Sequence, residues 1–188
     1  MKKSLGARTL AFPTPVWLVA TYDADGNPNV MTAAWAAIVC SKPPSVGVSL
    51  RKATYSYGNL VARKAFTVNI PSEKHVREAD YCGIASGREV NKFAKCGFTA
   101  VKSDLVDAPY IQECPLVLEC QLIHTVEIGL HTQFIGEILD VKADPEVLGE
   151  KRLPEIEKIK PIIFGPEIRT YHGIGAYLGQ AFAIGKDL

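Results

Sequence analysis

The stretch VWLVATYDADGNPNVMTAAWAAIVC, residues 16–40, decides the fold. Val16 to Tyr22 is rich in β-forming side chains and stops at the turn cluster Asp23-Ala-Asp-Gly-Asn-Pro28, and apolar character resumes from Asn29 to Cys40. Two β-prone runs around such a cluster predict an antiparallel hairpin. Working outward, Ser45–Leu50 and Phe66–Ile70 are further short strands, and Tyr55–Lys64 has helical spacing. Ser72 is placed to cap a helix over Glu73–Ala85, with Ser86-Gly87-Arg88 as its exit. Leu116, Leu118, Cys120 and Leu122 alternate with Val117, Glu119, Gln121 and Ile123, which predicts a strand with one apolar and one mixed face. The link Glu127–Leu130, containing Gly129, suits a hairpin to a strand over His131–Val141, and Leu153–Lys160 reads as a short helix. Short strands, hairpin links and few helices predict an antiparallel barrel with helical excursions, all-β or α+β in class, rather than a doubly wound sheet.

The 188 residues suit a single domain, 1–188, with a C-terminal extension from about residue 145. A net charge of +1 supplies no basic stripe for nucleic acid or an anionic membrane, so any bound anion is small and local. Lys2 and Lys3 are followed by Arg8, Pro13 and Pro15 rather than an apolar secretory core, and the apolar run Ala33–Cys40 is too short to span a bilayer. Cys40, Cys82, Cys96, Cys114 and Cys120 are odd in number and contain no C-x-x-C pair. They predict reduced thiols in a cytoplasm, with neither a disulfide framework nor a zinc site. Gly173, Gly175 and Gly179 lack the dinucleotide spacing. Gly179–Lys186 fails as a phosphate loop because its glycines are one residue too far apart and Asp187 stands at the hydroxyl position. His75, His124, His131 and His172 have no metal-ligand spacing.

Three separated segments share a chemistry. Asn29-Val-Met-Thr-Ala-Ala-Trp35 combines small residues that let a flat ligand near the backbone, groups that bond its edge, and an aromatic surface. Ser49-Leu-Arg-Lys-Ala-Thr-Tyr-Ser56 sets Arg51 and Lys52 beside hydroxyls at a helix start, which suits a phosphate dianion. Ser86-Gly-Arg-Glu-Val-Asn-Lys-Phe93 repeats that kit with Ser86, Arg88 and Lys92. Two such clusters fit one phosphorylated ligand or two. Each segment alone also reads as solvated surface or as core.

With NVMTAAW after DADGNPN, VGVSLRKATYSYGNL, FTVNIPS, SGREVNKF, HTQFIGEILDV and YHGIGAYLGQAFAIGK in this order, the chain resembles the flavin reductase-like FMN-binding split barrels, specifically their flavoredoxin branch. The resemblance implies a six-stranded antiparallel Greek-key split barrel with flanking helices, dimerising with FMN at the interface. It implies that Asn29, Met31, Thr32, Ala33 and Trp35 line the isoalloxazine, and that Ser49, Leu50, Arg51, Thr54 and Ser56 surround the ribityl phosphate. Ser86, Gly87, Arg88, Lys92 and Phe93 match the second cluster on the same flavin, and Tyr171 matches a late tyrosine that either touches the ring or packs in the core. His131 matches a histidine near which nicotinamide stacks in the family's reductases. There Gly-Asp usually precedes it, whereas Gly129-Leu130 does here, which shifts the expectation from NAD(P)H use toward electron carriage for a redox partner protein.

Overall fold

The computed structural model describes residues 1–186; Asp187 and Leu188, where the rejected phosphate-loop pattern ends, lie outside the described residues. In chain order the strands and helices are β1 (Thr14–Pro15), β2 (Trp17–Tyr22), β3 (Pro28–Ala33), β4 (Ala36–Ser41), β5 (Pro44–Arg51), α1 (Tyr55–Arg63), β6 (Ala65–Ile70), α2 (Val76–Ile84) and α3 (Lys92–Cys96). They continue with β7 (Ala100–Lys102), β8 (Pro109–Ile111), β9 (Leu116–Ile128), β10 (His131–Ala143), α4 (Ile156–Ile159), β11 (Ile163–Gly165) and β12 (Thr170–His172). The fold is mainly β, and its named strand pairs are antiparallel.

The main sheet has seven strands in the order β3-β2-β6-β9-β10-β5-β4. Its two outermost strands are consecutive in the chain, joined by Ala34 and Trp35 alone. Three Cα steps reach at most about 11 Å, whereas seven strands laid flat are about 29 Å across. The sheet therefore rolls up, and the backbone N–H of Ser49 on β5 donates to the Trp35 carbonyl (2.9 Å) beside the seam. The apolar run expected over 29–40 is thus two strands, one on each edge, and the main sheet has seven strands where the resemblance implies six.

Both faces of the rolled sheet are covered near β2. Trp17 and Val19 pack inside the barrel with Val48, Leu50, Phe66 and Phe134, while Leu18 and Ala20 pack outward on Ala79, Cys82 and Phe93 under α2 and α3. A strand buried on both faces reads as a continuous apolar run, which is why WLVATY shows no alternation. The mixed face expected after Leu116 is likewise partly buried: Val117 joins the outer core, and the fully buried Glu119 carboxylate takes the Lys142 ammonium at 2.5 Å.

Several boundaries move. The helix expected over 73–85 begins as a 3-10 turn, Glu73–His75, and Ser72 forms a bridge to Pro161 instead of a side-chain cap. The helix expected over 153–160 shrinks to α4, and the β9–β10 link is the two residues Gly129-Leu130. In the small sheet β1-β11-β12, strand β11 pairs with β1, which lays Phe164 and Tyr171 against the outer core.

Gly136 on β10 has no room for a side chain, since a Cβ there would lie 2.6 Å from the Phe66 ring and 3.0 Å from Cys120. Overpacking of this kind costs about 1–3 kcal/mol. Gly136→Ala is expected to lower the unfolding free energy measured by urea denaturation by that amount, seen as a lower midpoint, and an unchanged midpoint would show that the barrel interior is loosely packed.

Candidate functional site

The seam where β3 passes into β4 opens into a cavity of about 300 Å3. Met31, Thr32, Ala33 and Trp35 form one wall, Ser49, Leu50, Arg51 and Thr54 a second, and Asp80, Gly83 and Ile84 of α2 a third. Two further hollows share residues with it. One, bounded by Ala53–Ser56, Ser86–Arg88 and Lys92, shares Met31, Thr54, Gly83 and Ile84; the other, bounded by Thr9, Glu167 and Arg169, shares Trp35, Asp80, Phe164 and Tyr171. Together they make one groove along the seam.

One end of the groove has the groups to accept an anion. Helix α1 starts there with no acidic residue in its first turn and no side chain capping its N–H groups, because the Thr54 hydroxyl donates to the Arg51 carbonyl instead (2.9 Å). Free N–H groups at a helix start carry partial positive charge. Arg51 is exposed at this end, and Arg88 lies over the Tyr55 ring, 5.4 Å from its centre, with its guanidinium donating to the Ala53 carbonyl (2.9 Å). Tyr55 is fixed from behind, its hydroxyl donating to Asp23 at 3.1 Å. Burial alone would raise the Asp23 pKa, but hydrogen bonds from Asn27, Tyr55 and the Asp25 N–H hold it below its ordinary value. The turn after β2 thereby anchors the first residue of α1.

Gly87 closes the same end. A Cβ on it would run into the Asn29 side-chain oxygen and come within 2.7 Å of the Tyr55 ring, so only glycine lets the 86–88 loop sit this close to α1. Asn29 itself stands behind the wall and donates to the Ser56 hydroxyl (2.8 Å), which makes both positioning groups for the loop. Lys92 is buried, and its ammonium donates to the Cys82 and Ala85 carbonyls (2.9 and 3.1 Å), securing the end of α2 while forming part of the wall. Phe93 belongs to the outer core and borders none of the three hollows. Lys52 turns away to Glu127 (2.8 Å).

The middle of the groove is flat and apolar. Trp35 is 41% exposed and lies parallel to the His131 ring, with an interplanar angle of 9° and centres 6.4 Å apart. His131 faces Arg51 across the β10–β5 pair, so the seam brings together residues 35, 51 and 131. Opposite, Ile84 is 76% exposed at the end of α2. The Thr32 hydroxyl donates to the Ala79 carbonyl (2.5 Å) and ties β3 to that helix. Tyr171 donates to the Asp80 carboxylate (2.9 Å), and burial followed by that bond pushes its phenol up to about 12.

The sequence reading had no place for Asp80, Gly83 and Ile84. Their spacing of three and four residues put them on one helix face, and an exposed Gly-Ile at a helix end was the signal. Phe164 and Arg169 carried none, since only the pairing of β11 with β1 brings them to the groove.

The family model described as flavin reductase like domain matches residues 8–164. The solved flavoredoxin of Desulfovibrio vulgaris (Miyazaki F) is 56% identical, with a TM-score of 0.95 over 99% of this chain and 100% of that one. The solved flavoredoxin from Methanosarcina acetivorans is 30% identical, with a TM-score of 0.93 over 100% of this chain and 98% of that one. An uncharacterized protein of Archaeoglobus fulgidus is 37% identical over 115 residues, 61% of this chain and 65% of the relative.

Proposed function

Since the chain belongs to the flavin reductase-like domain family and is flavoredoxin-like, we propose that its groove binds FMN and that the protein is an electron carrier working through that flavin. The observation that carries this reading is the continuity of the groove, from a helix N-terminus flanked by Arg51 and Arg88 to the flat strand Met31–Trp35. A phosphate fits the first end and an isoalloxazine the second.

Arg51, Arg88, the hydroxyls of Ser49, Thr54 and Ser86, and the α1 N–H groups would hold the phosphate. Met31, Thr32, Ala33, Trp35 and Ile84 would enclose the ring and exclude water from one side. FMN, when bound, supplies the electron chemistry, and the protein supplies binding, orientation and electrostatics. Its residues need not include a proton-relay triad. The proposal places the protein in the cytoplasm, consistent with five free cysteines among the described residues. No helix among them is long and apolar enough to cross a membrane.

The partners in this reading are a redox protein that exchanges electrons with the flavin and a second copy of the chain. Ile38 and Val39 are exposed on the outer strand β4, and Val126, Ile128 and Leu130 are exposed at the β9–β10 hairpin. An isologous dimer over these apolar residues would cover the groove rim, near one edge of the flavin.

A second reading, direct reduction by NAD(P)H, is favoured by the Trp35–His131 pair, which presents a stacking surface beside an open hollow. Leu130, 65% exposed beside His131, supplies no carboxylate there.

Fluorescence titration is expected to show FMN binding more tightly than riboflavin. Charge-assisted contacts are worth about 1.5–3 kcal/mol each, so Arg51→Ala should weaken FMN about tenfold to a hundredfold. Equal affinity for the two flavins would remove the phosphate site from the account. Light scattering of the FMN-loaded protein should give twice the 20.5 kDa of one chain, and the single-chain mass would refute the dimer. Mixed anaerobically with NADH or NADPH, the loaded protein should stay yellow far longer than the turnover time of about a second typical of enzymes. Bleaching within that time would make it a reductase.

A further inference from the structure

Cys82 on α2 and Cys96 at the end of α3 hold their sulfurs 3.7 Å apart. Neither sulfur is in a disulfide, Cys82 is 1% exposed, and Cys96 is half-buried. Cys82 borders the anion end of the groove, and the next two residues, Gly83 and Ile84, border its flat middle as well. The buried Lys92 ammonium binds the Cys82 carbonyl and begins the short helix that ends in Cys96. One pair of thiols thus joins the two elements that shape the groove opposite β3 and β5.

We infer that Cys82 and Cys96 form a reversible dithiol–disulfide pair whose state sets the position of α2 on the groove. The part concerning affinity rests on the flavin reading above; the part concerning the sulfurs does not. Closing the bond brings the sulfurs from 3.7 Å to about 2.05 Å, an approach shared between rotation of the two side chains and movement of α2 against α3, and it ties the two helices covalently. Thr32 Cβ lies only 3.4 Å from where a Cβ on Gly83 would be, and the Thr32 hydroxyl is bonded to Ala79. A shift of α2 is therefore felt directly by the ring-binding strand, and a shift of α3 pulls Lys92 away from the carbonyls that fix the 85–88 loop.

The oxidant is a small-molecule disulfide. The more accessible Cys96 thiolate attacks one of its sulfurs, the disulfide bond breaks, and one thiolate leaves. Cys82, after losing its proton to solvent, then attacks the Cys96 sulfur and expels the second thiolate. The protein loses two protons and two electrons, and the reagent takes up both to become two thiols. Burial pushes both protein thiols up, and the nearby Lys92 charge opposes it, so exchange is slow at neutral pH and quickens as pH rises.

The test uses the full chain, reduced, freed of reductant and then incubated with oxidised glutathione at mildly alkaline pH. Peptide mapping with trypsin should join residues 78–88 to residues 96–102, with the loss of two hydrogens, and dithiothreitol should undo it. In Cys82→Ser the glutathione adduct should accumulate on Cys96, because the resolving thiol is gone. FMN affinity of the linked form should fall by about fivefold or more, the low end of coupling between sites, and return on reduction. Unlinked peptides, a link to Cys114 instead, or a linked form with unchanged FMN affinity would each overturn the inference. Failure of the reduced protein to bind FMN would overturn the flavin reading and the coupling with it, while the peptide map would still decide the disulfide.

Discussion

Two residues, Ala34 and Trp35, join strands that stand at opposite edges of a seven-strand order. That joint forces the sheet to close, and closure puts the end of β3 beside the end of β5. Everything at the site follows from it. Trp35 comes to lie parallel to His131, Arg51 stands across from His131 in the ladder, and the three residues after β5 lead into the N-terminus of α1. A flat ligand can lie in the seam because the ladder is interrupted there, and a phosphate can sit at its end because a helix begins there.

The elements around the seam are held by polar contacts that would serve little purpose in a barrel alone. Asp23 gathers Tyr55 and the Arg63 guanidinium to the first turn of the chain, Asn29 holds Ser56, and Thr32 holds Ala79. Each fixes a wall of the groove rather than the barrel interior. Deeper, the Asn69 amide donates to the Leu18 carbonyl (3.0 Å) and its oxygen accepts from Ile111 (2.8 Å), fastening β8 to the sheet beneath α2 and α3. The walls are preorganised by groups with little other use, which is how a site can be positioned on a scaffold without being part of its core.

Much of this was legible in the sequence. The hairpin around Asp23–Pro28, the helix after Thr54 and the strand ending at Ile70 are local features with local causes: turn residues, spacing, a proline stop. The hydroxyl and arginine clusters also stood out, because anion-binding side chains beside a helix start have a recognisable composition. The break at Ala34-Trp35 was not legible. NVMTAAWAAIVC carries no glycine or proline to mark a boundary, and the division arises only because two edges of one sheet need the same segment. Asn29 and Phe93 match ligand-lining positions by resemblance, yet Phe93 is buried in the outer core under α2 and α3 and Asn29 is held behind the wall by Ser56 and the 86–88 loop, long-range packing that no local pattern records. The apolar character of both faces of β2 hid alternation for the same reason.

The central claim is that one groove along the seam takes FMN with its phosphate at the start of α1. The most direct measurement is a crystal structure of the FMN-soaked protein. The account predicts the phosphate within hydrogen-bonding reach of the α1 N-terminal N–H groups and Arg51, and the ring against Met31–Trp35. A phosphate bound instead at the Arg169 end, or a flavin outside the groove, would contradict it.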